Sequence, residues 1–255
     1  MKKKVFLFGL LFSLLLLCGC GVNLTSTVKL NKDFSGTRVM SCTFSSRDFH
    51  SYFKGSKEDL NKLIKESCPD ALTYTSSSSD GNDTYTFYLR FSSLDDYKKK
   101  VRDLLNFSPE ITYEYGDSPF VSGLIYKENF TSKDLMTWLY TALYEGKYID
   151  KDSSSDLWDL KSTKISFLGT TYETKDKINI DEMAYVPLSS IHIDTKTKKS
   201  GKLARVIEFD LPQQTLDQNA GKIRSYFAGN DITWENTSDG KTLCISFDAN
   251  NFSDL

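Results

Sequence analysis

Two histidines, a serine–lysine pair and an aspartate-rich loop are the residues of this chain whose types and spacing could do chemistry. His50 and His192 could each bind a metal or move a proton. Neither has a second histidine or a cysteine at ligand spacing, so a zinc centre is not expected. Calcium needs a dense loop of oxygen ligands. The stretch "DKDSSSD" (150–156) offers Asp150, Asp152 and Asp156 but lacks the glycine and closing glutamate of a calcium loop, and reads as solvated surface. Ser51 and Lys54 stand at Ser-x-x-Lys spacing, where the amine would activate the hydroxyl for attack on a carbonyl, and "KSG" (199–201) offers a lysine before a small residue and glycine. The intermediate Ser-x-Asn element is missing, and there is no Gly-x-Ser-x-Gly elbow or glycine-rich phosphate loop, so the spacing is taken as chance. Asp95 and Asp96 sit where a helix begins, a place that favours acids through the helix dipole. No catalytic residue, metal or cofactor is expected, and the chain reads as non-enzymatic.

Sulfur is the more informative element. Cys18 and Cys20 close the one long apolar run, in "LLLLCGCG" (14–21), behind a basic start of Lys2, Lys3 and Lys4. A basic start, an apolar stretch from Val5 to Leu17 and small residues directly after it make an export signal, too short for a membrane span of roughly 18 residues or more. The other reading is a signal cleaved elsewhere, or a monotopic anchor in which both cysteines are plain apolar residues. Leu17-Cys18-Gly19-Cys20 resembles the lipobox of bacterial lipoproteins. The resemblance covers residues 1–21 and implies removal of 1–19, with acyl chains carried on Cys20. Cys18 fits less well, because Leu17 would then fill the small-residue position. Each buried methylene contributes about 0.8 kcal/mol and one chain holds only marginally, so two or three would anchor the domain stably. The expected location is the cell membrane, lipid-anchored, on its extracytoplasmic face (the outer membrane in a Gram-negative source).

Loss of residues 1–19 leaves 236 residues and moves the formal charge from −2 to −5. Such an acidic ectodomain has no electrostatic footprint for nucleic acid and no basic patch to reinforce a lipid anchor. Export also permits a disulfide. Cys42 and Cys68 both fall on expected core faces, and a bridge between them would contribute roughly 3 kcal/mol through loop closure. The competing reading, and the preferred one, keeps Cys42, Cys68 and Cys244 as reduced core residues.

The elements follow from periodicity. Residues 20–27 form the lipidated cysteine and a polar tether. Val28 to Leu30 and Thr37 to Ser45 read as a hairpin, with Met40, Cys42 and Phe44 alternating on one face. "SKEDLNKLIKES" from Ser56 reads as a capped amphipathic helix ended by Pro69. A second hairpin spans Leu72 to Thr75 and Thr84 to Phe91, and a helix spans Leu94 to Leu105. Residues 28–105 thus form a ββαββα module. The plan recurs in 189–255: "SGTRVMSCTF" (35–44) matches "SGKLARVIEF" (200–209), "ALTYT" (71–75) matches "DITWE" (231–235), and a helix from about Leu216 to Phe227 lies between. The alignment reaches Leu255 where a closing helix would begin, which leads to the expectation of a further segment beyond it. Residues 106–188 make a middle α+β module with strands at Ile111 to Tyr115 and Val121 to Tyr126. It also has a helix capped by Ser132 and a hairpin over Ile165 to Tyr172 and Lys177 to Ile180.

The fold class expected is α+β: repeated ββαββ(α) modules with antiparallel sheets and helices packed on one face. The other face, carrying Thr86, Tyr88 and Arg90, is then free to pack on a neighbour or bind something. The hairpin "STVKLNKDFSGTRVMSCTF" resembles the start of exported lipoprotein domains of the mycobacterial LppM type, over about 80 residues. That likeness implies a role in recognising envelope lipid. Partners expected are the membrane through Cys20 and an envelope protein, a cell-wall polymer or a lipid. The main reading is a non-enzymatic binding module, the alternative a lipid or glycolipid carrier with an apolar groove, and the third an enzyme of unrecognised type.

Overall fold

The computed structural model describes residues 22–46, 53–105, 107–150 and 157–251. It is a mixed α/β protein in which strands predominate, with fourteen strands and four α-helices among those residues. The chain divides into two compact units: Met1–Tyr113 with Tyr126–Ile180, and Glu114–Ile125 with Asp181–Leu255. The expected middle module, 106–188, is therefore shared out between them. Its two long-range strands, described below, complete the sheet of the first unit.

The first unit is built on a six-stranded sheet. Its strands are β1 (Val22–Leu30), β2 (Gly36–Ser45), β3 (Thr73–Ser79), β4 (Asn82–Phe91), β7 (Trp158–Phe167) and β8 (Thr170–Thr174), in spatial order β3-β4-β2-β1-β7-β8. All neighbours are antiparallel except β1 and β7, which run parallel and carry a register shift between Leu24 and Thr25. One face is mostly apolar: Leu24, Val28, Met40, Cys42, Phe44, Tyr85, Phe87 and Leu89 are all buried, with Ser26 and Arg38 among them. Over it lie helices α1 (Lys57–Ser67), α2 (Leu94–Leu105) and α3 (Thr137–Glu145), contributing Leu60 and Ile64, Tyr97 and Val101, and Leu139 and Leu143. Helix α1 starts where expected because Ser56 and Asp59 exchange a reciprocal capping box, worth about 1 kcal/mol.

Several expectations are corrected here. Asn23 to Thr27 are not a tether but the middle of β1, whose alternation of Val22, Leu24, Val28 and Leu30 is masked by intervening serine and threonine. Serines 76–79 extend β3 up to a two-residue turn, Asp80-Gly81, with φ of 52° and 76°, as tight hairpins require. The late hairpin turns at Leu168-Gly169, so its second strand is β8 and not 177–180. Ser132 does not cap a helix. A 3-10 turn over Asp134–Met136 precedes α3, and the Asp134 carboxylate receives the Thr131 amide while Ser132 turns inward.

The second unit carries the sheet β11 (Ser190–Thr197), β12 (Leu203–Pro212), β13 (Asp231–Asn236) and β14 (Gly240–Ala249), in order β11-β12-β14-β13, with helix α4 (Gln213–Tyr226) between β12 and β13 in the chain. Leu216 and Ile223 of α4 close on Leu211, Leu243 and Ile245, and Phe209, Phe227 and Phe120 pack around them. The remaining strands, β5 (Ile111–Asp117), β6 (Val121–Glu128), β9 (Asn179–Asp181) and β10 (Ala184–Tyr185), form a smaller sheet around β6.

Candidate interaction surfaces

The densest polar cluster is buried in the first unit. Arg38 shares the apolar face of β2 with Met40, and Glu128 ends β6. Their side chains, 1% and 0% exposed, meet at 2.8 Å. Arg38 also donates to Tyr97 Oη at 2.5 Å and Ser132 Oγ at 3.2 Å, and lies over the Phe130 ring. Glu128 accepts from Tyr97 at 2.7 Å and from Tyr126, while Ser132 meets Thr163 at 3.0 Å. Burial works against the charge of Arg38, but the Glu128 carboxylate outweighs it and holds the guanidinium protonated. Burial pushes the Tyr97 and Tyr126 phenols well above the ordinary range. Every charge in the cluster has a partner and no substrate could reach it, so its chemistry is structural: it ties β2, α2, β6 and β7 together.

The opposite face of the six-stranded sheet is an open array of hydroxyls. Paired positions run across the strands as Thr75, Thr86, Ser41, Thr25 and Ser162, five neighbours without a charge. The next row is Ser77, Thr84, Thr43, Asn23 and Asp159. Ser41 and Thr86 hydroxyls meet at 3.1 Å, and those of Thr43 and Thr84 at 3.0 Å. Tyr88 and Arg90 follow on the same face, with Arg90 over the Tyr88 ring and donating to Thr73 Oγ1 at 3.2 Å. Charge flanks the uncharged row: Asp159 closes the row on one side, Lys164 and Glu173 close the row of Thr27 and Tyr88 on the other, and Lys29 and Arg90 stand one row further out.

In the second unit, Ile191 and Ile193 of β11 are 53% and 57% exposed, on the same face as Ile207 and Phe209 of β12. A cavity of about 490 Å³ is lined by Ser118, Ser122, Lys222, Ser225 and Tyr226, among others.

The residues singled out by type fall in different places. Cys20, Cys18, His50, Ser51, Asp152 and Asp156 lie outside the described residues. Lys54 pairs with Asp150 on the surface. His192 is exposed on the polar side of β11. Gly201, with φ of 81°, closes the β11–β12 hairpin, so "KSG" is a turn. Cys42, Cys68 and Cys244 are free thiols. Cys42 is buried in β2, whereas Cys68 is the partly buried C-cap of α1. Among the described residues there is no group of three metal-binding side chains, and no helix long and apolar enough to cross a membrane. Arg38 and Glu128 were not singled out by sequence, although Arg38 falls in phase with Met40, Cys42 and Phe44. No family model matches the chain, and no curated protein matches it.

Proposed function

We propose that the chain is a lipid-anchored, extracytoplasmic binding module of the cell envelope. Acyl chains on Cys20 hold it to the membrane, and the open face of the six-stranded sheet meets a neutral, hydroxyl-rich cell-wall polymer. The observation that carries this reading is the uncharged row Thr75, Thr86, Ser41, Thr25 and Ser162. Each hydroxyl both donates and accepts, so a row of them suits a polyol, whereas a charged partner would want the marginal residues brought to the centre. We also read the chain as using one ββαββ plan twice. The orders β1-β2-β4-β3 and β11-β12-β14-β13 agree, and Arg38 and Arg205 then occupy matching positions opposite Leu89 and Phe247.

Co-sedimentation with an insoluble, uncharged cell-wall-type polysaccharide, free of peptides and charged polymers, tests the reading, using the full chain extracted from membranes. The parent chain is expected to pellet, and Thr25→Val with Thr86→Val, which keep shape and strand preference, to lower affinity about tenfold or more (about 1.4 kcal/mol). Absence of binding by the parent chain overturns the polymer assignment. A Cys20→Ser chain that still fractionates with membranes overturns the anchor.

A further inference from the structure

We infer that β11 is a pairing edge for β11 of a second copy of this chain, joined antiparallel about Ile193. This goes beyond the proposed function and does not depend on it. Strand β11 is at the edge of its sheet, eight residues long, without proline or bulge. Native edges of that length are normally blunted, because a free row of N–H and C=O groups templates another strand.

The register can be derived. Lys198 N–H donates to Lys202 C=O at 2.7 Å where the hairpin closes. Bonded pairs alternate along an antiparallel ladder, so His192, Asp194 and Lys196 turn their backbone groups to β12. Ile191, Ile193 and Thr195 therefore turn theirs outward. A two-fold pairing must match outward residues with outward residues, which leaves a few registers separated by steps of one residue about the axis. Centring on His192 opposes two histidines, and centring on Asp194 opposes two carboxylates. Centring on Ile193 places His192 opposite Asp194 twice, Ser190 opposite Lys196, and Ile193 against its own mate, with Ile191 beside Thr195. Centring on Thr195 also pairs Asp194 with Lys196 but leaves Ile191 opposite Lys199. Only the Ile193 centre satisfies the charges and covers both exposed isoleucines. The contact is self-complementary, as a two-fold interface must be.

The test is cysteine crosslinking of the full chain in membranes, with the parent chain as background. Ile193→Cys brings two sulfurs to a directly opposed pair, about 5.5 Å between Cα atoms and within disulfide reach. Thr195→Cys places its mate about four residues along the strand, roughly 13 Å away. A dimer at twice the chain mass from Ile193→Cys, and none from Thr195→Cys, is expected. No dimer from Ile193→Cys, or equal dimer from both, overturns the pairing. Ile193→Pro removes only an outward-facing amide and should leave the internal ladder whole. In sedimentation of the detergent-extracted chain the parent should be dimeric, and this variant monomeric with an unchanged circular dichroism spectrum. Ile193→Lys provides the same readout if the proline variant does not fold. A monomeric parent overturns the inference.

Discussion

Arg38 and Glu128, ninety residues apart in the chain, form a salt bridge of 2.8 Å inside the first unit, each side chain all but inaccessible to water. Desolvation of two charges offsets much of their attraction, so the pair as a whole adds little net stability, while removal of one partner strands the other. Glu128→Gln should therefore cost about 3–5 kcal/mol in denaturant unfolding. The double change Arg38→Met with Glu128→Leu should cost less than Glu128→Gln alone, since it leaves no buried charge and takes partners only from the hydroxyls of Tyr97 and Tyr126, Ser132 keeping Thr163. A single change that costs under about 1 kcal/mol would mean the cluster is hydrated, contrary to its geometry.

The same burial sets an alkaline limit. Tyr97 and Tyr126 have folded pKa values raised above the ordinary 10.0, chiefly by desolvation, and the Cys42 thiol is raised above its ordinary 9.0 by burial alone. Groups raised on folding contribute stability that is whole below their unfolded pKa and is lost as pH climbs toward the folded value, because the unfolded chain sheds protons that the folded chain keeps. The denaturation midpoint should hold below pH 9.0 and fall from there upward, most steeply beyond pH 10.0. Tyrosinate absorbance should appear in two stages, exposed phenols first and the buried pair only as the chain unfolds. Tyr97→Phe with Tyr126→Phe should flatten the decline above pH 10.0; an unaltered slope would assign it to other groups.

What the sequence makes legible is local. Ser56 and Asp59 announce the start of α1, the helical period of the twelve residues Leu94–Leu105 gives α2 to the residue, and the alternation of Tyr85, Phe87, Leu89 and Phe91 fixes which face of β4 is buried. Pairings between distant segments are not. Nothing in the pattern places β7 parallel to β1, because many strands share the same alternation. The glycines that the sequence sets side by side in 35–44 and 200–209 do not fall alike: Gly36 begins β2 opposite Phe91, whereas Gly201 stands in the turn ahead of β12. A slip of two residues preserves every inward side chain, so composition cannot detect it. Arg38 was legible as a charge in phase with an apolar face. Its partner was not, since Glu128 is fixed only once β6 is laid down beside α2.

The three free thiols should separate by access. Cys42 is fully enclosed, whereas Cys68 and Cys244 are partly exposed, with their thiols raised mainly by burial. The thiolate is the reacting species, so all three should alkylate slowly, with Cys42 modified only on unfolding. Mass spectrometry after native labelling should find the reagent on Cys68 and Cys244 first. After denaturation all three should be labelled, and a single label among them would instead reveal a Cys42–Cys68 bridge.

Two glycines should respond to alanine with opposite sign. At Gly36 a Cβ would stand 2.1 Å from the Lys29 carbonyl oxygen and 3.0 Å from the Phe91 ring, between β1 and β4 at the point where both pair with β2. The obstructing atom belongs to a backbone already bonded on both sides, so relief requires the strands to part. Gly36→Ala should therefore destabilise by more than about 1 kcal/mol. Gly221 lies within α4 with nothing inside 4 Å of its would-be Cβ. There the added methyl only restricts the unfolded chain and suits the helix, so Gly221→Ala should stabilise by roughly 0.5–1 kcal/mol. Denaturant midpoints of the two variants against the parent decide the matter. A loss at position 221 would mean that α4 is packed more closely there than its open surroundings allow, and a gain at 36 would require β1 and β2 to be spaced differently from the register Leu30 opposite Gly36.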